Sequence, residues 1–314
     1  MKFLTVIFLS VFFSLLAQSE SKEVKLLSSQ LNFIDQPVEL NEESIGAWVS
    51  QLKVHVNTSM LDPQGRMQSV LTEKGKLTDE EAHLISYYVE VKPLQGTKRV
   101  YLALFYSRQH MNKTLIKSSL YQDGGLNFEA GNVPKGNELF LYESIIAARG
   151  LNLRGSKITA MFTESQRQGR LLYKEEQAFK ENILSNLNAR HTNEDYFIIG
   201  FNVTGFSLDT LGHEVAHSLY DTLPGYRNVI NNFWMNKVSE VDKEVIRQRL
   251  SGIYSTEEVI IDEFQAYLLQ PKVPAPQSEM LHDFVGKYMS ALIVDLKANN
   301  LPLPIIAKSC NSVL

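Results

Sequence analysis

Cysteine is nearly missing from this chain. Cys310 is the single one among 314 residues, so no disulfide forms within it, and stability rests on packing and on any metal it holds. A lone cysteine in a C-terminal tail is not read as a catalytic thiol. Charge of one sign is missing as well: 31 Lys and Arg stand against 35 Asp and Glu, a net charge of −4. That balance leaves no basic footprint for nucleic acid or an anionic membrane. No internal repeat and no low-complexity tract occurs, which excludes repeat architectures. Beyond the N-terminus no apolar run approaches the roughly 20 residues that span a bilayer.

The N-terminus is different. Lys2 is followed by an almost unbroken apolar stretch from Phe3 to Ala17, and Ala17-Gln18-Ser19 places small residues where an export peptidase cuts. Residues 1–19 therefore read as a secretory signal. The expectation is an exported protein, periplasmic or extracellular, with no membrane contact after cleavage. What remains is long enough for one large or two modest domains with a substantial core.

Hydrophobic periodicity suggests an α+β fold. A helix is expected around Ser44–Val54, a helical stretch from Thr78, and a strand at Arg99–Ser107 that ends in a polar loop. Gln122–Asn137 carries Gly124, Gly125, Gly131, Pro134 and Gly136, so it reads as a boundary or long loop. A helix over Glu138–Arg149, closed by Gly150, ends an N-terminal mixed region of residues 20–150. In the second region, 151–314, Lys157–Thr163 reads as a strand and Lys174–Ala189 as an amphipathic helix. The near-continuous apolar run Tyr196–Val203 reads as a strand buried on both faces. Ser207 can cap a helix from Leu208 that buries Leu208, Leu211, Val215 and Leu219 and stops at Pro224-Gly225. Gln277–Ala298 reads as a C-terminal helix.

The chemistry lies in His213-Glu214-Val215-Ala216-His217 on that helix. Two imidazoles four residues apart share one helix face and can reach one metal ion. Glu214 then sits where it can take a proton from a water on the metal. A zinc site needs at least one more protein ligand. In metzincins a glycine follows the second histidine by three residues and a histidine by six; Tyr220 and Leu223 occupy those places here. The alternative is an acidic residue on a later helix. Asp262 and Glu263, 45 and 46 residues after His217, open an apolar helical stretch. Glu263 shares a face with Ala266 and Tyr267, and both acids remain open.

From about Phe197 to Leu269 the chain resembles the gluzincin metallopeptidases, the group that includes thermolysin and anthrax lethal factor. The residues that carry the likeness are H-E-x-x-H-S-L-Y, then Gly252-Ile253-Tyr254, then D-E-F-Q-A-Y-L; exported bacterial proteins show a similar pattern. The resemblance implies a zincin-like region: a mixed sheet packed on the active-site helix, with a mainly helical C-terminal part. It implies one zinc per chain, with His213, His217 and Glu263 as ligands and Glu214 as general base. It also implies Tyr254, nine residues before Glu263, as the donor to the oxyanion, with Tyr220 and Tyr226 as competitors. The chain departs from thermolysin at Tyr267, where an aspartate that buttresses a ligand histidine is expected. The function implied is exported, zinc-dependent hydrolysis of a peptide or protein. The competing expectation is a non-catalytic metal-binding or interaction module on the same scaffold. The aromatic residues of Tyr226–Met235 read as a small hydrophobic cluster under a connecting segment, with a substrate-pocket lining as the alternative.

Overall fold

The computed structural model describes residues 31–54, 71–72, 75–76, 88–124, 128–135, 150–203, 208–251, 256–270 and 281–304. In chain order the strands are β1 (Leu31–Phe33), β2 (Leu71–Thr72), β3 (Gly75–Lys76), β4 (Val89–Pro93), β5 (Val100–Phe105), β6 (Gly150–Arg154) and β7 (Phe197–Asn202). The helices are α1 (Glu42–Val54), α2 (Arg108–Asp123), α3 (Gly155–Arg167), α4 (Lys174–Phe179), α5 (Ser185–Arg190), α6 (Leu208–Thr222), α7 (Pro224–Lys237), α8 (Glu240–Leu250), α9 (Glu257–Leu268) and α10 (His282–Ala298). A π-helical turn, Lys180–Leu184, joins α4 to α5. The expected signal segment, the helix from Thr78, the helix Glu138–Arg149, Ser207 and Cys310 lie outside the described residues.

One mixed sheet, ordered β1-β4-β5-β7-β6, organises the fold, beside a small β2-β3 hairpin. β5 and β7 pair in parallel, from Val100 with Phe197 to Phe105 with Asn202. β6 runs antiparallel to β7 at the edge. Every residue of β5 and β7 is buried, as the uniformly apolar runs demand, because helices cover both faces. On one face Leu102, Leu104, Ile199 and Phe201 meet Leu211, Val215 and Leu219 of α6, with Trp234 and Phe264 behind them. On the other, Tyr101, Ala103, Phe105 and Ile198 meet Met111, Leu115, Ile158, Phe162 and Phe179. Successive residues of each strand thus feed opposite cores. A side chain at Gly200 would collide with Leu115, so a glycine lets α2 lie close on the sheet. The chain is α+β, and the expected boundary near residue 150 runs through this single sheet.

Two local expectations are corrected. Lys157–Thr163 is helix, not strand: Ile158, Met161, Phe162 and Ser165 are buried along one stripe of α3, a 3.6-residue period that two β-branched residues, Ile158 and Thr159, obscured. The polar loop expected after β5 is α2, capped by Ser107, whose hydroxyl accepts from the His110 N–H at 3.1 Å. Its buried face mixes Met111 and Leu115 with Asn112, Thr114, Lys117 and Ser118, so no clean apolar stripe marks it. Pro224 stands at the start of α7, where its fixed φ and missing N–H suit a first turn. Tyr226, Phe233 and Trp234 are consequently buried helix residues, a hydrophobic cluster rather than a pocket lining. Among the described residues no helix is long and apolar enough to cross a membrane.

Candidate metal centre

Two helices build the site. α6 buries Leu211, Val215 and Leu219, and this anchoring turns the adjoining face, with His213 and His217, toward α9. α9 starts at Thr256, whose side chain accepts from the Val259 N–H at 3.3 Å, and Glu257 and Glu258 in its first turn favour the helix dipole. Ile260, Ile261, Phe264 and Leu268 hold α9 in the core, which points Glu263 at the two histidines.

The three side chains converge. His213 Nε2 and His217 Nε2 lie 3.1 Å apart; His213 Nε2 is 3.5 Å from Glu263 Oε2, and His217 Nε2 is 3.8 Å from Glu263 Oε1. A tetrahedral ion with bonds of roughly 2.0–2.1 Å sets its ligand atoms about 3.3 Å apart, so the donor set fits zinc in spacing and in type. The three form the only cluster of His, Cys, Asp or Glu among the described residues with the spacing to hold a metal ion.

The histidines are held from behind. His217 Nδ1 meets Asp262 Oδ2 at 2.9 Å, Gln265 Nε2 donates to Asp262 Oδ1 at 3.0 Å, and the Tyr226 hydroxyl donates to Gln265 Oε1 at 3.1 Å. Tyr226 and Gln265 are fully buried, so this chain of bonds is shielded from water and fixes the orientation of the ring. Burial alone would lower the pKa of His217, but the carboxylates of Asp262 and Glu263 outweigh it and hold the imidazolium well above 6.5. Metal binding has to displace that proton. His213 is supported differently: the Tyr267 ring packs on it at 4.9 Å between centroids. Asp262 thus supports His217, whereas Tyr267 stands beside His213.

Glu214 stays out of the donor set and lies against β6. A side chain at Gly150 would sit 2.9 Å from Glu214 Cγ and 3.0 Å from Thr210 Cγ2, so only glycine leaves the carboxylate its place. Burial pushes the Glu214 carboxyl up, and the two histidines pull it down. A buried carboxylate beside a metal site can take and return a proton.

Tyr254 lies outside the described residues. Its two competitors are committed elsewhere: Tyr220 donates to Asn231 Oδ1 at 2.9 Å and Tyr226 to Gln265 as above. Arg227 pairs with Asp221 at 2.7 Å and Glu258 at 3.1 Å. His110 is buried under the sheet, and His191 contacts the Tyr101 hydroxyl at 2.7 Å; neither belongs to the cluster.

Sequence reasoning missed Asp123. This last residue of α2 keeps solvent-exposed surface, yet the walls around it desolvate its carboxyl and push it up to about 6. Gln122 and His217 act against that shift, and Glu214 and Glu263 add to it. Asp123 lies 90 residues from the motif in sequence, and its neighbour Gln122 ties it to β6 through Asn152 and Arg154. The supporting roles of Gly150, Gln265 and Tyr226 were not foreseen either; only the D-E-F-Q stretch, placing Gln265 one turn after Asp262, offered a local signal. In comparisons with known proteins, no family model, no curated protein and no solved structure matches this chain.

Proposed function

We propose that the chain is a zinc-dependent peptidase of gluzincin type with a zincin-like catalytic region. The observation that carries this reading is the convergence of His213, His217 and Glu263 at tetrahedral spacing, with Glu214 adjacent and outside the donor set. Zinc in such a site supplies Lewis acidity, which acidifies water and polarises a carbonyl. His213, His217 and Glu263 hold the ion, and Asp262 keeps His217 oriented. Glu214 takes the proton of the attacking water and passes it to the leaving amine, and Tyr254 donates to the developing oxyanion. The N-terminal signal reading supports action outside the cytoplasm.

Purified protein should bind about one zinc per chain, and His213→Ala/His217→Ala should bind none. Glu214→Gln should keep the zinc and lose at least about a hundredfold in peptide cleavage. A wild type that binds no zinc sinks the reading. Zinc without cleavage of a broad peptide library turns it into a metal-binding module.

A further inference from the structure

Among the described residues β6 pairs with a strand on one side only, with β7. Leu151 and Leu153 enter the core on the α2 and α3 face, while Gly150, Asn152 and Arg154 meet Glu214, Ser218 and Asp221 of α6. In an antiparallel ladder, alternate residues turn their N–H and C=O away from the partner strand, and here these are Gly150, Asn152 and Arg154. An edge of this kind pairs with an extended peptide.

Gln122 closes part of that edge. Its Oε1 accepts from the Arg154 N–H at 2.7 Å and its Nε2 donates to the Asn152 C=O at 3.0 Å. Among the described residues, Gly150 and the Asn152 N–H remain open, next to Glu214. From Gly150 to Asn152 the strand advances about 7 Å, the length of two residues. A peptide on this edge therefore has room for one or two residues between the base and the block.

Asp123 stands at the blocked end, where its Oδ2 accepts from Gln122 Nε2 at 3.1 Å. It terminates a 16-residue helix with no basic residue in the last turn, at the negative end of the helix dipole. Among the described residues no lysine or arginine forms an ion pair with it. The carboxylate and the helix end both favour a cation. Chain direction identifies which one. A peptide antiparallel to β6 brings its amino end to this corner. A parallel peptide would bring its carboxylate against Asp123, and the nearby Arg154 guanidinium is held at 2.8 Å by both oxygens of Asp221.

We infer that Gln122 and Asp123 form an amine-binding subsite, and that the chain removes one or two residues from a free peptide amino terminus. This rests on the peptidase reading above. Asp123 receives the ammonium, and Gln122 ends the cleft. Water adds across the peptide C–N bond: its oxygen bonds to the carbonyl carbon, that C–N bond breaks, and Glu214 carries a proton to the released amine.

The test uses matched pentapeptide pools, carboxyl-amidated, with free or acetylated amino termini. Zinc-loaded wild type should cut the free pool at the first or second bond, read by mass spectrometry, and the acetylated pool about tenfold or more slowly. Calorimetry on zinc-loaded Glu214→Gln should show penta-alanine amide binding about tenfold tighter with a free than with an acetylated terminus. Adding Asp123→Asn should erase that difference while zinc content stays at wild type. Gln122→Ala should move cleavage further into the chain. Internal cutting of both pools at equal rates, or equal binding of both termini, overturns the inference and leaves the peptidase reading intact. Loss of zinc in Asp123→Asn also overturns it, since Asp123 would then hold the metal. No cleavage of either pool ends the peptidase reading and this one with it.

Discussion

Asp262 and Glu263 are neighbours in sequence, but about 100° apart around the helix, and that rotation gives them different partners. Glu263 reaches both Nε2 atoms, whereas Asp262 reaches His217 Nδ1 at 2.9 Å. Asp262→Asn keeps the size of the side chain and removes the charge that holds the proton on Nδ1. Zinc affinity, measured by competition with a chelator, should fall by about 10–100-fold, whereas Glu263→Ala should cost considerably more. Equal losses would mean that Asp262 itself is a ligand. The histidines, Glu214 and the acidic pair were legible because helical spacing ties them to a motif that reads in one dimension. Gly150, Asp123 and Gln122 were not, because their roles arise only when β6 and the end of α2 are brought beside α6 by the sheet.

At the scale of elements, what could be read depended on how uniformly apolar each segment is. β5 and β7 stand out because all their residues are buried; α2 does not, because its buried face carries Lys117 among other polar groups. Lys117 Nζ lies 2.6 Å from Glu176 Oε2, with side chains 8% and 0% exposed, and 3.8 Å over the Tyr173 ring. Glu176 also accepts from the Tyr173 N–H at 2.7 Å, so the pair pins α4 to α2. Burial pushes the Glu176 carboxyl up to about 7 against the pull of Lys117, which shows how much the site depends on its cation. Lys117→Ala should destabilise the fold by about 3–5 kcal/mol in urea unfolding at pH 7, because it strands a buried carboxylate. Lys117→Met combined with Glu176→Leu should return to within about 1 kcal/mol of wild type, since it removes both desolvation costs. A single variant as stable as wild type would show that water reaches the pair.

Across the whole molecule, the two cores on either side of one sheet place ionisable groups where the solvent cannot serve them, and this makes stability depend on pH. His110 lies on the α2 side, 2% exposed and edge-on to Phe105 with ring centroids 5.4 Å apart. Burial, with Lys113 adding to it, lowers its pKa from 6.5 to about 3. The unfolded chain takes up a proton there below about 6.5, while the native chain refuses it until about 3. Between those limits the unfolded state binds more protons, so His110 contributes stability that is complete above pH 6.5 and is lost as the pH falls. His217 has the opposite sign in metal-free protein: its raised pKa contributes below 6.5 and is lost as the pH rises through the folded value. The two are separated by substitution. His110→Leu keeps an apolar side chain against Phe105 and removes the titration. In urea unfolding of metal-free protein at pH 7 and pH 5, wild type should lose about 2 kcal/mol more than His110→Leu on acidification. Equal losses would mean that His110 takes up its proton in the folded state, and that water reaches the core beneath the sheet.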